Sequence, residues 1–206
     1  MGNASTFEPP VVYETIPAID FSSFTDEVRH AACHSFIAAC ERLADQGCRA
    51  AISNCSYSII LQSEVAERAA IPIALSAVSQ LSLAFKLAPP GARVALLTSY
   101  ARNYREEYLY AACEAEEIGR VVIIGGDEIP AAQSFLEGRG LDYQALPNGV
   151  GDRLAEARRE QPRIAVLVSA CPGFLPFSDD IRGASGLPVY DVLTLAASLM
   201  ATAPDY

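Results

Sequence analysis

The chain has 206 residues, of which 51% are hydrophobic and 19% are charged, a composition typical of a folded globular protein with a substantial core. Fourteen arginines and one lysine stand against 25 acidic residues, so the formal net charge is −10. A chain with this charge lacks the basic surface that neutralises phosphates. We therefore expect neither nucleic acid nor an anionic membrane as a partner.

The N-terminal residues 1–19 lack the basic start and the apolar core of a secretory signal peptide. The longest uncharged stretch, residues 69–85, contains a proline and several polar residues, which argues against a membrane-spanning helix. Six cysteines without a secretory signal and without a CxxC pair are typical of reduced thiols. Together these features predict a cytoplasmic protein.

Apolar runs typical of strands alternate with helical patterns along the chain. The predicted strands lie at residues 10–13, 50–53, 71–75, 93–98, 120–125, 141–146, 164–169 and 187–190. Apolar residues at helical spacing predict helices at residues 26–45 and 103–118, and a last helix is predicted at residues 191–201. This alternation predicts an α/β fold in which helices cover parallel sheets.

The sequence also contains an internal repeat with an offset of 116 residues. Residues 51–55 and the later Pro72 match residues 167–171 and the later Pro188, in register at both ends. The repeat predicts two pseudo-symmetric halves, the first comprising residues 1–91 and 192–206 and the second residues 92–191. The second half opens with a strand at residues 93–98, whereas the first half opens with a polar loop at residues 2–8 and nothing ahead of it, so the first strand of the first half is predicted to be missing.

Each copy of the repeat places a cysteine, Cys55 or Cys171, just after a predicted strand and just before a helix. Ligands bind at this edge of open α/β sheets, and the N–H groups of the following helix lower the pKa of a thiol and favour a carboxylate ligand. Two thiols facing one cleft suit proton transfer at a stereocentre without a cofactor, because one thiolate removes the α-proton and the other thiol protonates the opposite face. The remaining cysteines are predicted to be structural: Cys33, Cys40, Cys48 and Cys113.

Other catalytic or cofactor motifs are weaker. His30 and His34 have the i, i+4 spacing of a zinc pair, but no second ligand cluster accompanies them, so no metal site is predicted. Gly125-Gly126 lacks the third glycine of a dinucleotide fingerprint and is predicted as a turn, with Asp127 as a helix cap. The single lysine, Lys86, lies at the end of an apolar helix before two prolines, which argues against a pyridoxal Schiff base.

Five segments carry a further signal: Asn54-Cys55-Ser56, Cys171-Pro172-Gly173, and residues 2–7, 94–98 and 186–191. Together these segments extend over nearly the whole chain. Taken in chain order, they resemble the aspartate/glutamate racemase superfamily, which also contains hydantoin racemases, arylmalonate decarboxylases and maleate isomerases. The resemblance implies two pseudo-symmetric α/β domains with the active site in the cleft between them. It also implies catalysis independent of pyridoxal phosphate and metals, with Cys55 and Cys171 as the paired acid/base residues.

The resemblance further implies which residues hold the carboxylate and the amine or amide of a substrate: Asn3, Asn54, Ser56, Thr98 and Ser99. Pro172 and Gly173 are also predicted at the substrate, where racemases of this type usually carry Thr or Gly and then Asn or His. These two residues make the second side of the pocket more apolar. A plain aspartate or glutamate substrate is therefore disfavoured.

From these observations we predict a cofactor-independent racemase or epimerase that inverts the α-carbon of a small amino acid, carboxylate or hydantoin. The alternatives are a decarboxylase or a maleate-type cis–trans isomerase on the same scaffold, and a non-catalytic small-acid binding protein. Arylmalonate decarboxylases rely on one cysteine, so the presence of both favours the racemase, whereas maleate isomerases keep both. The sheet edge that a missing strand leaves open favours a homodimer.

Overall fold

A computed structural model of the chain describes residues 10–21, 23–140 and 142–202. The helices are α1 (Asp26–Asp45), α2 (Gln62–Arg68), α3 (Leu81–Leu87), α4 (Glu106–Tyr110), α5 (Ala115–Ile118), α6 (Pro130–Leu136), α7 (Ala145–Glu160), α8 (Ser178–Ser185) and α9 (Val192–Thr202). The strands are β1 (Ala51–Ile52), β2 (Ile73–Ala74), β3 (Arg93–Thr98), β4 (Val121–Gly125), β5 (Ile164–Ser169) and β6 (Val189–Tyr190). Short 3₁₀ helices lie at Ser56–Leu61, Ala77–Gln80, Ala101–Asn103, Gly126–Glu128 and Pro172–Phe177.

The strands form two parallel sheets within the described residues. β1 pairs with β2, and the larger sheet has the order β4-β3-β5-β6 with every neighbouring pair parallel. Parallel neighbours require crossover connections, and the chain segments that connect successive strands contain helices. The predicted α/β class with parallel sheets is confirmed.

The central strands β3 and β5 are buried on both faces, as their continuous apolar runs predict. Side chains of β3 alternate between two core clusters: Ala95 and Leu97 pack with the apolar side of α7, while Val94 and Leu96 pack with α3 and α4. The carboxyl ends of β3 and β5 are thereby fixed side by side, which positions the residues that follow them.

Helix α1 has the predicted bounds of residues 26–45. Thr25 caps it by accepting a hydrogen bond from the Val28 N–H at 3.4 Å, and two acidic residues occupy its first turn, where the helix dipole favours negative charge. Its apolar stripe, which includes Cys33 and Phe36, packs over α2 and residues near β2. Cys33 and Cys40 are buried within this packing.

Three predicted elements are wrong. Residues 10–13 form no strand, and neither do residues 142–146: the Asp142 carboxylate accepts hydrogen bonds from the Gln144 and Ala145 N–H groups and so turns the chain into α7. The predicted helix at residues 103–118 is broken, because the Ala112 and Cys113 N–H groups bond back to the Leu109 carbonyl and close α4. A new capping box, made by Glu114 and Glu117, then starts α5.

Residues 10–21 and 23–50 contain no strand, so in the described residues the smaller sheet begins at β1. The start of α9 is tied to the first half of the chain, since the Gln80 amide donates to the Asp191 carbonyl at 2.8 Å and accepts from the Thr194 hydroxyl at 2.9 Å. None of the helices described is long and apolar enough to cross a membrane. The division into halves, the cytoplasmic location and the homodimer stay predictions from the sequence.

Candidate active site

The two repeated cysteines occupy equivalent backbone positions. Ser53 and Asn54 separate Cys55 from β1, and Ala170 separates Cys171 from β5; each cysteine directly precedes a 3₁₀ helix. Their backbones are nearly the same, with φ −98° and ψ 122° at Cys55 and φ −85° and ψ 122° at Cys171. The repeat found in the sequence is therefore also a repeat of local structure at these two residues.

The two thiols differ in their surroundings. Cys55 is half-buried on the wall of a wide cleft of about 660 Å³. Cys171 is buried and lines a narrow pocket that has no room for a water molecule. Ser53 and Asn54 line both spaces, so the cleft and the pocket lie on either side of the segment that leads to Cys55.

Burial is the main reason that the pKa of the Cys171 thiol is raised above the ordinary value of 9.0, and the nearby Cys55 raises it further. Donors around the sulfur oppose this effect: the Ser99 hydroxyl donates to Cys171 Sγ at 2.9 Å, and the N–H groups of Gly173 and Phe174 favour the thiolate. Because burial has the larger effect, the pKa of the Cys171 thiol stays above its ordinary value.

Gly173 is required for this arrangement. A Cβ atom at this position would lie 2.3 Å from Cε1 of Phe135 and 3.4 Å from Cys171 Sγ. Any larger residue would therefore push against the Phe135 ring and move the N–H group that faces the sulfur. Gly173 supplies one of the N–H groups that face Cys171, and its place at the substrate stays a prediction.

Aromatic side chains form one wall of the wide cleft. Phe21, Phe36, Tyr57 and Tyr108 line it, and the Tyr57 ring lies 5.9 Å from Phe21 and 5.5 Å from Tyr108 between centroids. Tyr104 packs against Tyr57 and Tyr108 but does not line the cleft. Ring faces attract cations, so this aromatic wall suits a ligand that carries a positive charge.

The cleft also has a basic side, formed by the residues that follow β3. Arg102 stacks on Tyr100, and no carboxylate of the described chain lies within ion-pair distance of it. Arg105 stacks on Tyr108, donates to its hydroxyl at 3.3 Å and is paired with Glu107. Arg102 is therefore the more available of the two guanidinium groups for a carboxylate ligand.

Asp127 holds the Arg102 segment in place. Its carboxylate accepts a hydrogen bond from the Ala101 N–H at 3.1 Å, and its N–H donates to the Ser99 carbonyl at 2.9 Å. The predicted role of Asp127 as a helix cap is wrong, because its side chain bonds to the neighbouring turn. The loops after β3 and β4 are thus tied together beside the cleft.

Several buried hydroxyl groups have no hydrogen-bond partner within the described residues. Thr98 and Ser169 end β3 and β5, and Tyr57 and Ser58 follow Cys55. An unpaired buried hydroxyl destabilises a fold unless a ligand or a water supplies the missing bond. Tyr57 and Ser58 line the wide cleft, and Ser169 lines the narrow pocket.

The structure brings most of the predicted site residues to these two spaces. Asn54 and Cys55 line the cleft, Cys171 and Pro172 line the pocket, and Ser99 contacts Cys171. Ser56 is buried and lines neither space. Its carbonyl accepts from the Ser76 hydroxyl at 3.3 Å. Asn3 lies outside the described residues.

Several residues that the sequence patterns did not predict at the site also line the cleft: Ser53, Tyr57, Ser58, Arg102, Asn103, Arg105 and Tyr108. Tyr57 and Ser58 directly follow Cys55, and Arg102 follows the carboxyl end of β3, so proximity to strand ends was an available signal. Tyr108 lies in α4, inside the helix predicted at residues 103–118, and no local sequence signal marks it as a cleft residue.

No protein-family model matches the chain. Curated relatives do match nearly all of it. A dimethylsulfoniopropionate lyase from Durusdinium sp. clade D is 23% identical over 205 residues, covering 95% of this chain and 67% of the relative. Dimethylsulfoniopropionate lyase 6 from Emiliania huxleyi is 26% identical and covers 97% of this chain and 54% of the relative. The chain thus spans about half to two thirds of the length of these relatives.

Solved structures share the fold at low sequence identity. An aspartate racemase homologue from Pyrococcus horikoshii aligns with a TM-score of 0.61 and 17% identity over 97% of this chain and 86% of its own. A sulfate-associated variant of arylmalonate decarboxylase has a TM-score of 0.54 and 18% identity, with 86% and 78% covered. Glutamate racemase from Francisella tularensis, with D-glutamate, has a TM-score of 0.51 and 16% identity, with 90% and 66% covered.

Proposed function

From the aspartate/glutamate racemase superfamily fold that the chain has, we propose an enzyme that removes the α-proton of a small carboxylate, with Cys55 as the base. Cys55 lines the wide cleft, where a ligand can reach the sulfur. Arg102 holds the carboxylate by charge-assisted hydrogen bonds, which places the adjacent carbon toward the thiolate. The chemistry needs no cofactor.

The aromatic wall beside Cys55 indicates the substrate and carries the proposal. A substrate that combines a carboxylate with a cation a few atoms away fits a cleft lined by the Arg102 guanidinium and by the aromatic rings of Phe21 and Tyr57. Dimethylsulfoniopropionate has this form, a carboxylate and a sulfonium joined by two carbons, and it is the substrate in the names of the curated relatives. We therefore propose a lyase that acts on dimethylsulfoniopropionate or a closely similar sulfonium carboxylate.

The proposed reaction is an elimination. The Cys55 thiolate takes the proton from the carbon next to the carboxylate, and the electron pair of that C–H bond becomes the double bond to the next carbon. The carbon–sulfur bond breaks, and its electron pair leaves with the sulfur. The products are dimethyl sulfide and acrylate, with the proton on Cys55. The leaving group departs uncharged, so this step needs no acid.

A racemase or epimerase, as the sequence predicts, is the second candidate. It is favoured by the equivalent backbone positions of Cys55 and Cys171 and by the raised pKa of Cys171, which suits a proton donor. In that reaction Cys55 removes the α-proton and Cys171 delivers a proton to the opposite face. Replacing either cysteine with serine is then expected to abolish racemisation.

A product assay separates these candidates. The protein is incubated in D₂O with dimethylsulfoniopropionate and, separately, with α-amino acids, 5-substituted hydantoins and malonates. We expect dimethyl sulfide by headspace gas chromatography and acrylate by proton NMR from the sulfonium substrate alone. Loss of the α-proton signal from an amino acid or hydantoin, without dimethyl sulfide, supports the racemase. Carbon dioxide from malonates supports the decarboxylase, and no product with any compound contradicts an enzyme of this class.

The pH dependence gives an independent distinction. A reaction that needs the Cys171 proton loses activity as the pH rises through the pKa of that thiol, which lies above 9.0. Racemisation is therefore expected to decline above pH 9, whereas elimination does not use the Cys171 proton and is expected to show no such decline. Initial rates from pH 6 to pH 10 on each active substrate measure this difference. A lyase rate that falls above pH 9, with the fold intact by circular dichroism, contradicts the single-base elimination.

A further inference from the structure

Tyr57 combines a fixed ring with an unpaired polar atom. It lies two residues after Cys55 in the 3₁₀ helix Ser56–Leu61, and its ring contacts Phe21, Tyr104 and Tyr108. Its hydroxyl oxygen is buried and makes no well-formed hydrogen bond within the described residues, although the Thr98 hydroxyl lies near enough to lower its pKa. The side chain nevertheless lines the wide cleft. The ring contacts therefore fix the position of this hydroxyl, which makes no strong hydrogen bond of its own.

The surroundings make Tyr57 a donor rather than a base. Burial raises the pKa of its phenol above the ordinary value of 10.0, and this effect outweighs the opposing effect of the neighbouring Thr98 hydroxyl. The charges of the Cys55, Tyr108 and Cys171 side chains raise that pKa further. A phenol that keeps its proton has a hydrogen bond to donate.

We propose that the Tyr57 hydroxyl donates a hydrogen bond to the carboxylate of the substrate and stabilises the negative charge that gathers on its oxygens when Cys55 removes the α-proton. The inference rests on the proposed function and deepens it by naming a catalytic residue. A donor that is already oriented and shielded from water stabilises such a charge more than a mobile one, because nothing has to reorganise when the charge forms. Arg102 already binds the substrate carboxylate before the reaction. The hydrogen bond from Tyr57 therefore contributes most when the α-proton is removed and negative charge builds up on the carboxylate oxygens.

A purely structural tyrosine at this position would gain from losing its hydroxyl. The Tyr57→Phe substitution keeps the ring contacts and removes a buried polar atom that has no partner, so the folded protein is expected to be as stable as before or more stable. Tyr104 is the matched control. It carries an equally unpaired buried hydroxyl in the same aromatic cluster, but it does not line the cleft.

The test compares Tyr57→Phe and Tyr104→Phe with the wild-type protein for dimethyl sulfide release. We expect Tyr57→Phe to lower kcat about 100-fold while KM changes by about threefold or less. Tyr104→Phe is expected to keep kcat within about twofold, because its hydroxyl does not contact the ligand. Both variants are expected to melt at or above the wild-type temperature. A Tyr57→Phe protein with the wild-type kcat overturns the proposal.

A binding measurement separates failure of this inference from failure of the proposed function. Dimethylsulfonioacetate carries the same two charged groups, but it lacks the second carbon that elimination requires. By calorimetry, we expect Tyr57→Phe to bind it about threefold more weakly and Tyr104→Phe to bind it like the wild type. Weaker binding by Tyr57→Phe in a protein without turnover supports the hydroxyl contact and contradicts the lyase. Equal binding by all three proteins contradicts the hydroxyl contact.

Discussion

Replacing Cys55 with serine is expected to lower dimethyl sulfide release about 1000-fold, which is within the range that a positioned base contributes. A serine hydroxyl loses its proton far less readily than a thiol, so Cys55→Ser keeps the shape of the site and removes the base. The side chain lies at the start of a 3₁₀ helix, where it makes no capping hydrogen bond, so the fold does not depend on the sulfur. Initial rates with dimethylsulfoniopropionate measure the effect.

Cys48→Ser is the control for this prediction. Cys48 is also half-buried, but it lies just after α1 and lines neither the cleft nor the pocket. Its replacement is expected to leave the rate unchanged, so general thiol loss is separated from loss of the base. If Cys55→Ser retains more than about a tenth of the wild-type rate, Cys55 is not the base.

Replacing Gly125 with alanine is expected to damage both stability and activity. Gly125 ends β4, opposite Thr98 in β3, and its backbone packs against the turn that carries Arg102. A Cβ atom there would lie 2.1 Å from Oδ1 of Asp127 and 2.8 Å from the backbone nitrogen of Ala101. These are the two atoms of the hydrogen bond that holds the turn, so the methyl group cannot be accepted without breaking that bond.

The expected cost of Gly125→Ala is about 2–3 kcal/mol in the free energy of unfolding, as for an overpacked core. In a chain of this size, that corresponds to a fall of about 5–10 °C in melting temperature. The Arg102 segment moves with Ala101, so KM for dimethylsulfoniopropionate is expected to rise about tenfold, as for the loss of one charge-assisted hydrogen bond. Thermal unfolding and steady-state kinetics measure the two effects.

Gly119→Ala is the matched control for backbone effects. Gly119 follows α5 with φ −64°, a conformation open to any residue, and no atom lies within 4 Å of its Cβ position. Alanine there is expected to leave the melting temperature unchanged or slightly higher, because it only restricts the unfolded chain. A Gly125→Ala protein that melts like the Gly119→Ala protein contradicts the close packing described at the end of β4.

The Asp127 hydrogen bond explains why a substitution far from the thiols is expected to reach the ligand. Gly125 belongs to β4 and Arg102 to the turn after β3, and the Asp127 carboxylate is what joins them. The positioning of Arg102 therefore depends on two neighbouring strands and the loops after them. This dependence on packing is typical of sites built at the carboxyl edge of a parallel sheet.

The sequence by itself determined the α/β class, the bounds of α1 and the equivalence of Cys55 and Cys171. These features depend on local information: apolar runs for β3 and β5, helical spacing for α1, and a strand followed by a helix at each cysteine. Such patterns act over a few residues, so they can be recognised without knowing what packs against them. The repeat added the equivalence of the two strand–cysteine–helix segments.

Only the tertiary structure decided what surrounds each thiol. Cys55 and Cys171 have the same local sequence pattern and nearly the same backbone, yet one lines a wide cleft and the other is buried beside Ser99. The aromatic wall and Arg102 likewise come from segments that are distant in the chain. Burial, charge and access are properties of the assembled fold, so equal local patterns acquire unequal chemistry when different elements pack around them.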